Sequence, residues 1–230
     1  MEGFYLFDST HIKWLCSIML MLILALFIYR KLQHKRNFLV FLFALLLLGE
    51  VAKQIYLVIT NQYTYWSPPL HLCGLGIFIC GWYAFSPNRI NATLLYSLTL
   101  PGALIALIFP GWAYEVVGGF IHIHSFLFHA ILVLFVLCPL LQFELVLRFQ
   151  DLWISVIFLI VVVPLISLYN LNFDTNFMFL NAPVENTPLE WLYLQFHSSG
   201  YLISLSMVMI FLWCLQYGVY YLIRIKKLDW

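Results

Sequence analysis

A cysteine at the start of an apolar segment is the residue in this sequence best placed to act as a nucleophile. Cys73 lies in the stretch PPLHLCG, residues 68–74, which leads into a run of apolar residues. Proline is common in the first turn of a helix, and the N–H groups at a helix N-terminus favour the thiolate form of a cysteine. Cys73 is therefore a candidate nucleophile. The alternative is a small buried apolar side chain, the usual state of a membrane cysteine.

Histidine is the side chain that most often takes the proton from such a thiol, and His129 is the best candidate. His122 and His129 are seven residues apart and share one helix face, whereas His124 points away from both. His71 is only two residues from Cys73, so a regular helix cannot direct both into one site. His129 is therefore the predicted general base. Its alternative role is a hydrogen bond between helices.

Glu50 and Lys53 are ionisable residues within a long apolar segment. Charged groups inside a membrane are costly and usually face a cavity or each other. Their spacing allows the two side chains to pair on one face of a helix. One interpretation is a self-neutralising structural pair. The other is a charged wall of the active site, with Lys53 at a depth close to that of Cys73.

The sequence contains no pattern that predicts a metal centre or a cofactor site. There is no H-E-x-x-H, no C-x-x-C and no pair of histidines four residues apart. The five cysteines are scattered along the chain, at Cys16, Cys73, Cys80, Cys138 and Cys214. Their odd number and wide spacing favour neither a disulfide framework nor a metal cluster. We therefore expect no metal and no cofactor.

Composition places these residues in a membrane. Apolar residues make up 64% of the chain and charged residues 9%, and the mean hydropathy is +0.95. Such a chain is a polytopic membrane protein with an all-α fold. Its basic residues form short groups beside apolar segments rather than one patch, so no nucleic-acid partner is expected. Without an internal repeat or a linker, residues 1–230 are expected to form a single transmembrane helical domain.

Seven segments are long enough to cross about 30 Å of hydrocarbon. They are predicted near residues 12–29, 38–59, 70–85, 92–109, 122–141, 152–169 and 201–223, the third being short. Basic residues cluster in alternate loops, so the positive-inside rule predicts an outside N-terminus and an inside C-terminus. The third and fifth segments then both run inward from the outer face. Cys73 and His129 would lie one to two turns below the same interface.

The outer segment 170–199 is predicted to act as a lid. It contains Asn176, and its sequence TPLE at residues 187–190 predicts the start of a helix. The stretch 189–223 is too long for one span, so we expect a break or kink near residues 198–200. The polar residues expected to bind or position a substrate are His71, His124, His197, Asn176, Glu50 and Lys53.

Four motifs occur in the order known from one family of membrane proteins. PLHLC (69–73), GALIA (102–106) followed by Pro110, FLFH (126–129) and NFMFL (176–180) resemble successive motifs of the YwaF-type integral membrane proteins. The resemblance covers roughly residues 66–201. The start of the last segment departs from the family, because FHSSGY (196–201) replaces an aromatic-Pro-aromatic-Tyr pattern. Lid and substrate contacts are therefore expected to differ.

This bacterial family is similar to the eukaryotic transmembrane acyltransferase that remodels ether phospholipids, and more distantly to the androgen-induced-type lipid hydrolases. The resemblance implies a catalytic cysteine and histidine, which correspond to Cys73 and His129, and membrane phospholipids as substrates. It also implies a bacterial cytoplasmic membrane. A thioester on Cys73 would precede transfer of the acyl group to a lysophospholipid hydroxyl or to water. Asn176, His71 or the helix N-terminus would bind the oxyanion.

A protein without enzymatic activity is the alternative. A seven-helix bundle with a polar outer cavity would also suit a small-ligand sensor or a transporter component, although no inverted repeat supports transport. The reactivity of Cys73 distinguishes the two classes. An enzyme requires a thiolate that reacts near neutral pH, whereas a structural cysteine is inert. The sequence gives no indication of a protein partner.

Overall fold

The computed structural model describes residues 3–142, 144–184 and 187–228, with the backbone alone for residues 197–199 and 225–228. Within those residues the chain forms helices and no strands, as predicted. The helices are α1 (Ser9–Lys31), α2 (Lys35–Ile59), α3 (Leu72–Phe85), α4 (Arg89–Leu94), α5 (Leu100–Ile108), α6 (Phe120–Leu141), α7 (Leu152–Phe173) and α8 (Pro188–Leu228). A π-helical turn, Leu95–Thr99, joins α4 to α5.

Within the described residues, six helical segments are long and apolar enough to cross a membrane, judged by length and composition. They are Ser9–Lys31, Lys35–Ile59, Arg89–Ile108, Phe120–Leu141, Phe149–Phe173 and Gly200–Arg224. The predicted third span is shorter than expected, because α3 has 14 residues and is about 21 Å long. Pro69 precedes it and Pro87 follows Ser86, a position where helical backbone is disfavoured. The seven-span topology and the orientation of the termini therefore stay predictions.

The first of two compact units comprises residues 1–161. In it, α6 packs against α1, α2, α3 and α5. The continuous helix Arg89–Ile108 and α6 supply most of the buried side chains, among them Leu95, Leu98, Ala103, Leu132 and Phe135. Because α6 is apolar on almost every face, it suits a position among other helices. The core of this unit therefore holds the helix that carries His129.

Two ion pairs connect helices at the end of this unit where basic residues cluster. The charge pattern predicts that this end faces the inner side of the membrane. The Lys35 ammonium lies 2.9 Å from Glu144, which follows α6. Arg89, at the start of α4, pairs with Asp151, whose side chain is fully buried before α7. A buried carboxylate that lost this partner would be strongly destabilising. These contacts connect helix ends that are distant in the sequence.

A close turn holds Cys73 at the beginning of α3. The Leu70 N–H donates to the Pro68 carbonyl at 2.9 Å, and the Pro69 carbonyl then lies against Gly74. A Cβ atom at Gly74 would be 2.2 Å from the Pro69 oxygen, which is far inside normal contact distance. The turn before Cys73 therefore requires glycine at this position.

Gly74→Ala is expected to destabilise the protein. The added methyl group must displace the Pro69 turn, and overpacking of this kind costs about 1–3 kcal/mol. We expect a lower melting temperature in detergent than that of the parent protein. Gly218→Ala is the matched control, because nothing lies within 4 Å of a Cβ at that position. Equal melting temperatures for the two variants would contradict the close approach.

The second compact unit begins at Val162, and residues 174–184, which follow α7, form a hydrogen-bonded loop. The Asn170 side chain accepts a hydrogen bond from the Phe177 N–H at 2.9 Å. Asn176 accepts from the Asn181 N–H at 2.9 Å and donates to the Ala182 carbonyl at 2.8 Å. The NFMFL motif thus forms a loop that two asparagine side chains hold together.

Helix α8 begins at Pro188 as predicted, and it does not break near residues 198–200; a kink there stays a prediction. The helix is continuous over 41 residues, Pro188–Leu228. One glycine within a helix costs only about 1 kcal/mol relative to alanine, which does not by itself end a helix. The Ser204 hydroxyl donates to the Gly200 carbonyl at 3.0 Å within the helix. The predicted lid segment 170–199 therefore includes the end of α7 and the first turns of α8.

Candidate active site

Cys73 lies in the first turn of α3, with 9% of its surface exposed. Its sulfur faces α5, where a Cβ at Gly102 would lie 3.6 Å from Sγ. One turn further along α3, a Cβ at Gly76 would lie 3.4 Å from the Thr99 hydroxyl oxygen. Glycine at both positions allows a close approach of the two helices, because a Cβ at Gly76 would also lie 3.0 Å from the Thr99 methyl group. The thiol therefore lies in a narrow cleft between α3 and the helix that contains the π-helical turn.

His129 is held in one orientation and one tautomer. Its Nδ1 lies 2.7 Å from the Ser125 carbonyl oxygen. Because a carbonyl oxygen only accepts hydrogen bonds, Nδ1 carries the proton and Nε2 keeps its lone pair. Trp112 stacks on the imidazole, with ring centroids 4.7 Å apart and 16° between the planes. The ring thus presents a basic nitrogen in a fixed position, as a general base requires.

Helices α3 and α6 pack side by side and run in the same direction. A Cβ at Gly76 would lie 3.6 Å from the Leu132 side chain. Later in both helices, Tyr83 contacts the edge of Phe135, with centroids 6.3 Å apart. The second contact lies later in both helices, which gives their common direction. Residues that precede the Gly76–Leu132 contact by one turn in each helix therefore lie near that contact.

Cys73 and His129 are such a pair, because each precedes this contact by three residues in its own helix. His129 also interacts electrostatically with His71, which is two residues from Cys73. Among the residues that the structure describes, no hydrogen bond joins the thiol to the imidazole. Catalytic contacts are often loose without substrate and tighten when it binds.

Glu50 and Lys53 form the ion pair that their spacing predicts. The Lys53 ammonium lies 2.8 Å from Glu50 Oε1, and Gln54 donates to the same carboxylate. Gln54 also donates to the Ser67 carbonyl at 2.7 Å, which ties α2 to the loop before α3. Glu50 is 7% exposed, so removal of its partners would leave a buried charge. The pair has a structural role whatever its part in binding a substrate.

His71 and His124 lie near this ion pair. We call Glu50, Lys53, His71 and His124 the polar cluster. A Cβ at Gly49 would lie 3.7 Å from Nε2 of His124, and His71 follows the loop that Gln54 ties to α2. Burial, and secondarily Lys53, lowers the pKa of His71, which precedes α3 and is neutral at pH 7. Although the Gly49 carbonyl is nearby, neither ring nitrogen of His124 reaches hydrogen-bond geometry with a described group.

The other predicted site residues have different surroundings. Asn176, in the second unit, uses both ends of its amide to hold its own loop. The side chain of His197 lies outside the described part of the structure. His122, which shares a helix face with His129, accepts a hydrogen bond from the Trp14 indole N–H at 2.8 Å. This contact gives His122 a packing role between α1 and α6.

Two residues that the sequence analysis did not identify lie in the same region. Trp112 covers one face of His129, and its indole N–H is buried without a described hydrogen-bond partner. Thr99 is 1% exposed, and its hydroxyl likewise has no partner among the described groups. Thr99 precedes Gly102 by three residues, but this spacing alone does not predict that both face α3. Nothing in the sequence around Trp112 predicts stacking on a histidine.

The described residues offer no metal site, and the groove that they form lies away from Cys73 and His129. No group of three His, Cys, Asp or Glu side chains within the described ranges is arranged to hold a metal ion. A groove of about 340 Å³ lies near the other end of α3, between residues such as Leu47 and Trp82. Its lining is almost entirely apolar, so it offers no catalytic group. None of the predicted site residues in the first unit lines this groove.

The sequence matches the TMEM164 family over residues 6–217. This stretch includes Cys73, His129 and the whole of helices α1 to α7. No curated protein and no solved structure matches the chain. The six apolar helical segments agree with a protein that crosses the membrane several times. The chain is therefore a multi-pass membrane protein that belongs to the TMEM164 family.

Proposed function

We propose that this protein is a thiol-dependent phospholipid acyltransferase or acyl hydrolase, with Cys73 as the nucleophile and His129 as the general base. The observation that carries the proposal is the Gly76–Leu132 contact of the packed helices α3 and α6, which Cys73 and His129 each precede by one turn. The Ser125 carbonyl fixes the tautomer of His129 that accepts a proton at Nε2. The motif order shared with YwaF-type proteins supports lipid esters as the substrate class.

In the first half-reaction, Nε2 of His129 takes the thiol proton of Cys73. The thiolate attacks the carbonyl carbon of a phospholipid ester and forms a carbon–sulfur bond. The bond between this carbon and the ester oxygen then breaks, and the leaving lysophospholipid oxygen takes the proton from the imidazolium. A thioester on Cys73 and a lysophospholipid are the products.

In the second half-reaction, a lysophospholipid hydroxyl or water gives its proton to His129 and attacks the thioester carbon. The carbon–sulfur bond breaks, and the sulfur recovers the proton from the imidazolium. Neither half-reaction requires a cofactor. The polar cluster of Glu50, Lys53, His71 and His124 would position the polar part of donor or acceptor.

The proposal includes seven spans, an outside N-terminus and a bacterial cytoplasmic membrane. Basic residues in alternate loops support this orientation, and the motif order supports the bacterial origin. Cys73 and His129 would then act in the outer half of the bilayer. Donor and acceptor lipids would reach them from the same leaflet.

Redistribution of a labelled acyl chain tests the proposal. The purified protein is reconstituted in vesicles that contain lysophospholipid and a phospholipid with one isotope-labelled chain. We expect lipid mass spectrometry to find the label on the lysophospholipid acceptor or in free fatty acid. Vesicles without protein provide the background. A label distribution equal to this background would overturn the proposed activity.

Trp112→Leu is expected to lower the rate of acyl redistribution, because the imidazole of His129 loses its stacking partner. Aromatic contacts contribute about 0.5–1.5 kcal/mol beyond buried area, which corresponds to a loss of roughly twofold to tenfold. Trp112→Phe keeps a flat ring and is expected to retain more activity. The assay is the vesicle measurement above, with melting temperatures to verify folding. Equal rates for both variants would contradict a positioning role for the ring.

A further inference from the structure

We infer that the Thr99 hydroxyl binds the carbonyl oxygen of the reacting ester, in the cleft between α3 and α5. The inference rests on the proposed function of Cys73 and identifies a hydrogen-bond donor for it. Thr99 is 1% exposed, and its hydroxyl has no partner among the described groups. Buried polar groups are nearly always hydrogen-bonded, so a buried donor without a partner indicates a ligand at this position.

The Thr99 hydroxyl lies in the π-helical turn and differs from the other hydroxyls of its helix. A threonine or serine within a helix usually donates to the carbonyl four residues earlier. Thr93 and Ser97, in the same membrane helix, do so at 2.8 and 2.7 Å. The corresponding carbonyl for Thr99 belongs to Leu95, and in the π-helical turn it accepts from the Leu100 N–H instead. Such turns are frequent at functional sites.

The hydroxyl points toward the helix that carries the nucleophile. A Cβ at Gly76 would lie 3.4 Å from the Thr99 oxygen, and a Cβ at Gly102 would lie 3.6 Å from the Cys73 sulfur. Gly76 and Thr99 thus face each other across the two helices. Cys73 and Gly102 also face each other, one helical turn away. Side chains one turn apart on a helix are about 5–6 Å apart, a spacing that an acyl group bound to sulfur can bridge.

This position suits a donor to the developing oxyanion. When the thiolate attacks, the ester carbonyl oxygen gains negative charge, and a hydrogen bond to it becomes stronger in the transition state than in the bound substrate. A threonine hydroxyl in a buried cleft is already oriented by the helix backbone. Because Gly76 and Gly102 have no side chains, neither residue places a side chain between Thr99 and the Cys73 sulfur.

Thr99→Val tests this role, because valine has nearly the same shape but no hydroxyl. The assay is the rate at which an acyl adduct forms on Cys73 in phospholipid vesicles, measured by intact mass. Removal of one oxyanion donor typically lowers such a rate by about 10²–10³-fold, and we expect a loss in this range. Thr99→Ser retains the donor and should stay close to the parent rate. Thr93→Val, which removes a hydroxyl that bonds within the helix, should also stay close to it.

A second measurement separates this role from helix packing. Alkylation of Cys73 by a small maleimide depends on the thiol and not on an ester carbonyl, so its rate is expected to be unchanged in Thr99→Val. If Thr99→Val melts at a lower temperature, Thr99→Ala and Thr99→Ser provide the same comparison, because they differ by one hydroxyl group.

The outcomes distinguish this inference from the proposed function. If Thr99→Val and Thr99→Ala form the adduct at the parent rate, the role of Thr99 is overturned. Cys73 then remains the nucleophile. No adduct on the parent protein overturns the proposed function and this inference with it. A hundredfold slower adduct in Thr99→Val with unchanged alkylation supports both.

Discussion

Cys73→Ala is expected to eliminate both the acyl adduct and the redistribution of labelled acyl chains. The thiol is the only group in the cleft between α3 and α5 proposed to form a covalent bond with the acyl carbon. Loss of a catalytic nucleophile typically lowers turnover by about 10⁴-fold or more. Cys73→Ser is expected to retain little activity, because a hydroxyl is a far weaker nucleophile than a thiolate. Both rates are measured in vesicles with a labelled donor phospholipid.

Cys80→Ala is the matched control for this result. Cys80 is also a buried cysteine of α3, with 0% of its surface exposed, but it lies two turns further along the helix. We expect this variant to keep most of the parent activity. A similar loss in Cys73→Ala and Cys80→Ala would indicate that cysteines of α3 act through packing and would contradict the assigned nucleophile.

His129→Gln is expected to slow formation of the acyl adduct by about 10²–10⁴-fold, the usual contribution of a general base. Glutamine can preserve the hydrogen bond to the Ser125 carbonyl but cannot accept and return a proton. The neutral thiol of Cys73 then predominates near pH 7. A higher pH increases the thiolate fraction without the histidine, so the variant is expected to recover part of its rate as pH rises.

The control for His129→Gln is His122→Gln, on the same face of α6. His122 accepts a hydrogen bond from Trp14, so its substitution is expected to lower the melting temperature and to affect the rate much less. The pH dependence of adduct formation is measured for both variants. An unchanged rate of adduct formation in His129→Gln would contradict general-base catalysis by His129. Equal losses of rate in His129→Gln and His122→Gln, with the same pH dependence, would also contradict it.

Several parts of this fold were predictable from short stretches of the sequence. The apolar length of α6 predicts a span, Pro188 marks the beginning of α8, and the spacing of Glu50 and Lys53 predicts their ion pair. Each depends on residues within a few positions of one another. Proline likewise explains the short α3, but the sequence analysis predicted a longer segment because the residues around it are apolar.

Contacts between helices were less predictable from the sequence. The stacking of Trp112 on His129 and the position of Thr99 opposite Gly76 depend on how separate helices pack. The π-helical turn changes the register of its helix by one residue, and the amino-acid composition of a segment does not predict such a turn. Of the break or kink expected in α8, the break does not occur, because a single glycine such as Gly200 does not end a helix.

The most direct test is the intact mass of the protein and of Cys73→Ala after incubation with phospholipid vesicles. Each sample is measured before and after treatment with neutral hydroxylamine, which cleaves thioesters. We predict an added acyl mass on the parent protein, its removal by hydroxylamine and no such mass on Cys73→Ala. No adduct on the parent, together with a Cys73 thiol that does not react with maleimide near pH 7, would contradict the account and favour a ligand-binding membrane protein.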